Sequence, residues 1–167
     1  MAPGLAEKHA IPVLLVLESV VLSVSSSRVP PRTLLKPPIE VSVYSSFQIL
    51  TPIQYAETFL GRKLIVETRY TAVVYLKEKA TGQFFRVMES TITFMHIIEP
   101  HRELQNIVNK PANELPHEIV EQLIGVTLQN AIPMLVTLLE KHMVPVVLPI
   151  SIRIECQQSG QGRREEQ

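Results

Sequence analysis

The stretch from Gly61 to Leu76 constrains this chain most. Leu64, Val66, Tyr70, Ala72, Val74 and Leu76 share one parity, while Glu67, Arg69, Thr71 and then Lys77 share the other. Thr68 falls among the apolar set, and Ile65, Val73 and Tyr75 fall among the polar set, so both faces have some apolar cover. Alternate side chains of a strand point to opposite faces, whereas a helix would scatter these residues around its circumference. β-Branched and aromatic types also suit a pleated surface. A strand from about Arg62 to Leu76 is therefore the fixed point of the reading.

Other segments repeat this period. Residues 11–26 read as a first strand, with Val13, Leu15 and Leu17 in one phase and Val20, Leu22 and Val24 in the other. The slip at Glu18-Ser19 suggests a bulge or bend. This run is preceded by Lys8 and His9, so a signal peptide comes into question, but Pro12 opens it and Glu18 interrupts it. It is also too short to span a bilayer and reads as a core strand. Arg28 to Pro38 holds four prolines in eleven residues, a composition that suits an extended spacer. Ile39 to Leu50 is a second strand, broken by Thr51-Pro52, and Gln54 to Leu60 is a connection of no evident shape. The turn Lys77 to Gly82 closes a hairpin whose return arm is Phe84 to Ile98. There Phe85 and Val87 differ in phase from Ile92 and Phe94, so a bulge is expected near Glu89 to Thr91.

The period changes at Pro116. Ile119, Val120, Leu123, Ile124, Thr127, Leu128 and Ala131 form a stripe at helical spacing. Pro116 suits the first turn, and Glu118 and Glu121 suit the positive end of the helix dipole. A helix is expected over about 116–142, kinked or broken near Pro133, where a backbone donor is missing. Val144 to Cys156 alternates again as a last strand. The expected class is α+β, mainly β: an antiparallel sheet or sandwich with this C-terminal helix packed on it. The expected organisation is a flexible lead over 1–10, one domain over 11–156 with a helical insertion at 116–142, and a disordered tail over 157–167.

Composition narrows the function classes. Of 167 residues, 46% are hydrophobic and 19% charged, with Lys+Arg and Asp+Glu equal at 16 each. A neutral chain exerts no global pull on nucleic acid or an anionic membrane, and nothing in its charge keeps copies apart. The pairs Arg62-Lys63 and Arg163-Arg164 make no basic stripe, and no phosphate loop or nucleophile elbow is present. The single Cys156 cannot form an internal disulfide. His117 and Glu121 have the i,i+4 spacing of a metal pair, but a zinc helix needs a second histidine where Glu121 stands, and an exposed helix start explains them. His96, His101 and Cys156 would be the residues of an enzyme if the fold gathered them. No catalytic, cofactor or metal residue is assigned, no membrane span is expected, and the interaction residues are unknown.

Two family likenesses add to this. Ile49 to Ile53 (ILTPI), Leu60 to Glu67 (LGRKLIVE), Val74-Tyr75 and Phe94 to Pro100 (FMHIIEP) resemble the SPOCS domain of endospore-forming bacteria. Ile11 to Glu18 (IPVLLVLE) is similar to the opening of some short spore proteins that carry it. Thr68 stands where that family has glycine, Thr93 where it has proline, and the 116–142 segment is longer than the family implies. The resemblance implies a stand-alone, non-enzymatic structural protein of the spore coat or a related surface layer, with no cofactor. Such a protein would act as a homo-oligomer, by self-association or by docking other envelope proteins, first in the mother-cell cytoplasm and then on the spore surface. The second likeness lies in Leu128 to Ile150, which is similar to the end of the export chaperone SecB. There a long helix and a proline-containing apolar segment follow a four-stranded antiparallel sheet. It implies a chaperone or polypeptide-binding module.

Overall fold

The computed structural model describes residues 12–28, 38–141 and 151–156. The alternating stretch folds as strand β4, Gly61–Glu78. Every even-numbered residue from Leu64 to Glu78 is buried, and the odd-numbered ones from Lys63 to Lys77 are half-buried except for exposed Arg69. Thr68 follows the pattern and is fully buried.

Five strands assemble around β4. The return arm is β5, Phe84–Ile98, antiparallel in register from Leu64 opposite Ile98 to Lys77 opposite Phe84. Gly82 closes the turn at φ 71°, a left-handed conformation that suits glycine, and its N–H donates to the Glu78 carbonyl at 2.8 Å. The phase slip in β5 lies at Val87, two residues before the expected site, because Val74 pairs with Met88 and Tyr75 with Arg86. One extra residue there brings Phe85 onto the face of Ile92 and Phe94. On the far side of β4 runs β2, Ile39–Ile49, antiparallel. The short β3, Gln54–Thr58, pairs with the start of β4. It occupies the stretch read as shapeless: five residues without strong apolar alternation carry little signal. Its two-residue turn is held by the Thr58 hydroxyl, which donates to the Gly61 carbonyl at 2.7 Å.

The strand read as a core element, β1, Val16–Arg28, is instead an edge strand lying outside β5. Ten of its thirteen residues are exposed, the exceptions being half-buried Val16 and the pair Ser19-Val20, with eight in an unbroken run from Val21 to Arg28. Its register against β5 slips twice, around Leu17 and around Leu22. The first slip adjoins the one expected at Glu18-Ser19, and the second was not foreseen. At the opposite edge β6, Ser151–Cys156, runs parallel to β2. The strand order is β1-β5-β4-β2-β6, with β3 beside β4. The described strands form this single sheet, and the sandwich alternative does not arise among them.

One helix, α1, His117–Lys141, lies on the sheet. Its buried residues are Ile119, Leu123, Thr127, Ala131, Leu135 and Leu139. The helix runs unbroken through Pro133, so of the expected kink or break the break does not occur. Pro133 is on the exposed side, where a carbonyl that loses its helical partner stays open to solvent. By length and mean hydropathy of 1.5 this helix could cross a membrane, as the core helix of a sheet protein also can. Ahead of it, two 3-10 turns, Arg102–Ile107 and Ala112–Glu114, occupy the polar stretch before Pro116 and bury Leu104 and Ile107. The expected lead, the proline connector over 29–37, the start of the last strand and the tail lie outside the described residues.

Candidate functional site

The sheet has two unlike faces. The face under α1 is filled by two apolar clusters. One joins Val43, Tyr70, Val74, Ile92 and Phe94 to Ala131, Leu135 and Leu139 of the helix. The other joins Phe47, Leu64, Val66 and Ile98 to Ile119 and Leu123. Between them lies a polar seam. On β4, Thr68 separates Val66 from Tyr70; on α1, Thr127 separates Leu123 from Ala131; on β5, His96 separates Ile98 from Phe94. His96 Nε2 is 2.9 Å from Thr68 Oγ1 and 3.0 Å from Thr127 Oγ1, and those hydroxyls are 2.9 Å apart. His96 Nδ1 is 2.8 Å from Ser19 Oγ on β1. Phe94 stacks on the imidazole at 5.8 Å. The ring is fully buried, and burial lowers its pKa from 6.5 to about 4, so it is neutral at pH 7.

The other face has no helix over it among the described residues. Tyr44 and Tyr75 meet edge to face at 5.3 Å, and with Phe84 they line a shallow depression of ≈ 290 Å³. The Lys77 ammonium sits 5.1 Å from the centre of the Phe84 ring. Arg86 pairs with Glu89 on the same strand. Arg69 is exposed, while Glu67 and Thr71 are half-buried, the latter with its hydroxyl 3.4 Å from that of Thr91. This is a mixed surface of apolar and charged side chains.

The edge strand β1 adds the largest run of exposed apolar side chains: Val21 at 42%, Leu22 at 45% and Val24 at 43%, with Leu15 at 57% just before it. No described strand pairs with its outer edge. Its start and the middle of α1 enclose a groove of ≈ 440 Å³, lined by Leu17, Glu18, Ser19, Val126, Gln129 and Asn130.

His96, His101 and Cys156 take separate places in the fold. His96 is spent on hydroxyl partners inside the fold, whereas His101 Nε2 lies 3.1 Å from the Val13 carbonyl. Cys156 ends β6 opposite Phe47, on the far edge of the sheet from β1. His117 Nδ1 and Glu121 Oε1 are 3.2 Å apart on an exposed helix start, and no group of three metal-ligand side chains occurs among the described residues. Of the basic pair, Arg62 lies over Tyr55 and Lys63 binds Glu99 at 2.7 Å. Sequence reasoning missed the seam as a unit. Its signal was the placement of Thr68 on the apolar parity of β4 and of Thr127 within the apolar stripe of α1. No family model and no curated protein matches the chain.

Proposed function

We propose that this chain is a non-enzymatic polypeptide-binding protein of the chaperone-like kind that the likeness to SecB implies. The observation that carries the reading is the edge strand β1, with no described strand on its outer side: it is thirteen residues long, exposes Val21, Leu22 and Val24, and is largely exposed. An unpaired edge offers a row of backbone donors and acceptors to another extended chain, and exposed alternating side chains give that chain an apolar footing. The architecture agrees with the likeness in outline, since long antiparallel strands are followed by one long helix. Zero net charge leaves such a surface open to clients of either sign. The test is suppression of light scattering by an unfolded client, comparing the wild type with Val21→Lys/Val24→Lys. Suppression that is lost in the variant supports the reading. Absence of suppression by the wild type, or equal suppression by both, sinks it.

A second reading is the structural one, assembly in the spore envelope as a homo-oligomer or with other coat proteins. It is supported by the same edge, which can pair with a copy of itself as readily as with a client, and by the SPOCS likeness along β4 and β5. Size-exclusion chromatography and negative-stain microscopy separate the two. Extended assemblies together with expression tied to sporulation favour the envelope, and a strictly monomeric protein without such expression removes it.

A further inference from the structure

Four elements meet at one imidazole. β1 supplies Ser19, β4 supplies Thr68, β5 supplies His96 and α1 supplies Thr127. A neutral ring has one nitrogen that donates and one that accepts, and each hydroxyl can take either role, so the four groups satisfy one another. In the two clusters the contacts between α1 and the sheet are apolar, and Gln122 of α1 adds hydrogen bonds to the backbone at Pro12 and Leu14, just ahead of β1. This cluster has fixed distances and directions, and it lies at the junction of the two apolar clusters. Ser19 also lines the groove between β1 and α1, so the cluster reaches from the helix interior to the edge of the sheet.

The surroundings decide what a second proton would do. On β5 the ring is flanked by Phe94 and Ile98; on β4 it faces Val66 and Thr68, with Tyr70 next on that face. On α1, Leu123, Thr127 and Ala131 are the buried residues at this level. On β1, Val16 and Val21 share the face of Ser19, while Glu18 pairs with Ile97 on the opposite face, at the rim of the groove. Tyr70 is the titratable group among these same-face neighbours, and its hydroxyl is held by Ser45 Oγ at 2.6 Å. The ring's hydrogen-bond partners are all hydroxyls, so an imidazolium would be buried without a carboxylate to pair with it.

We propose that Ser19, Thr68, His96 and Thr127 form an acid-sensitive latch: the neutral imidazole clamps helix α1 to the sheet and to edge strand β1, and protonation opens the clamp. The proposal is independent of what the chain binds. The sign follows from the lowered pKa: the closed form excludes a proton that the open form accepts. Closure is complete above pH 6.5 and is lost as pH falls towards 4. Relative to neutral pH, the opening equilibrium grows about twentyfold by pH 5.

The test is nuclear magnetic resonance on the whole chain. The imidazole of His96 is titrated directly, its signal assigned by its absence in His96→Gln. Protection of the α1 amides around Thr127 is followed over the same pH range. Protection should fall about twentyfold between pH 7 and pH 5 in the wild type and stay nearly flat in His96→Gln, which keeps a polar side chain without the ring's titration. An acid-dependent loss of equal size in both proteins overturns the latch and assigns the opening to carboxylates. Should His96→Gln fail to fold, the wild type still decides. Opening of α1 that tracks the His96 titration supports the latch, and opening at a different pH, or a ring that titrates near 6.5, overturns it.

Discussion

Strands β1 and β4 make an instructive pair. Both are long, apolar and β-branched, and both read as strands from their alternation. Yet β4 buries every second residue from Leu64 to Glu78, whereas β1 buries none of its thirteen. The difference is one of position. β4 has β5 on one side and β2 and β3 on the other, with α1 across its even-numbered face. β1 has a neighbour on one side, and the helix reaches only its start. Equal hydrophobicity thus becomes packing energy in one strand and available surface in the other. The energetic consequence is that β4 holds the fold, while β1 is where a partner can gain apolar contact.

This contrast can be broken by substitution. The largest effect is expected from Leu64→Ala in β4, a fully buried residue, at about 2–5 kcal/mol by urea denaturation. Leu22→Ala in β1 should stay within about 0.5 kcal/mol, and equal costs would overturn the comparison. Next comes the seam beneath the helix. His96 is neutral when folded, with a pKa near 4, and takes up a proton near 6.5 when unfolded. Folding stability should therefore fall by about 3 kcal/mol as pH drops from above 6.5 to 4 through this group. His96→Gln should flatten that part of the stability–pH curve, and an unchanged slope would count against the burial described. A smaller loss, about 1–2 kcal/mol, is expected for Ser45→Ala, which strands the buried Tyr70 hydroxyl. The smallest effect on stability belongs to Val21→Lys/Val24→Lys at the exposed edge. Thermal unfolding should shift by less than about 3 °C while client protection is lost. A large drop in melting temperature would show that the edge strand is part of the core after all.

Much of the architecture was legible in the residues. The arms of the central hairpin, the parity of β4 and the helical stripe from Ile119 to Ala131 follow from local periodicity, because burial on one side of an element leaves a repeat in its own sequence. β3 was not legible, since Gln54 to Thr58 are ordered by pairing with β4 and not by a pattern of their own. Of the kink or break expected at Pro133, the break did not occur: one lost hydrogen bond on an exposed side is outweighed by packing of Ala131, Leu135 and Leu139 on the sheet. The first bulge in β1 and the one in β5 were readable as phase slips, though their exact residues depended on the partner strand, and the second slip in β1 was not readable.

The candidate surfaces were less legible than the elements. His96, Ser19, Thr68 and Thr127 lie on four separate elements, and no spacing in the chain announces that they touch. By itself the sequence determined the long extended segments, which one is helical, and which side of β4 turns inward, because each of these depends on neighbours a few residues away. Only the tertiary structure decided the strand order. Among the described residues, that order left β1 at the edge, joined four polar side chains into one seam, and left a face of the sheet without a helix. Those outcomes depend on which elements lie side by side, and hydrophobic burial is non-directional: it rewards covering an apolar face without specifying, in the residues of that face alone, what will cover it.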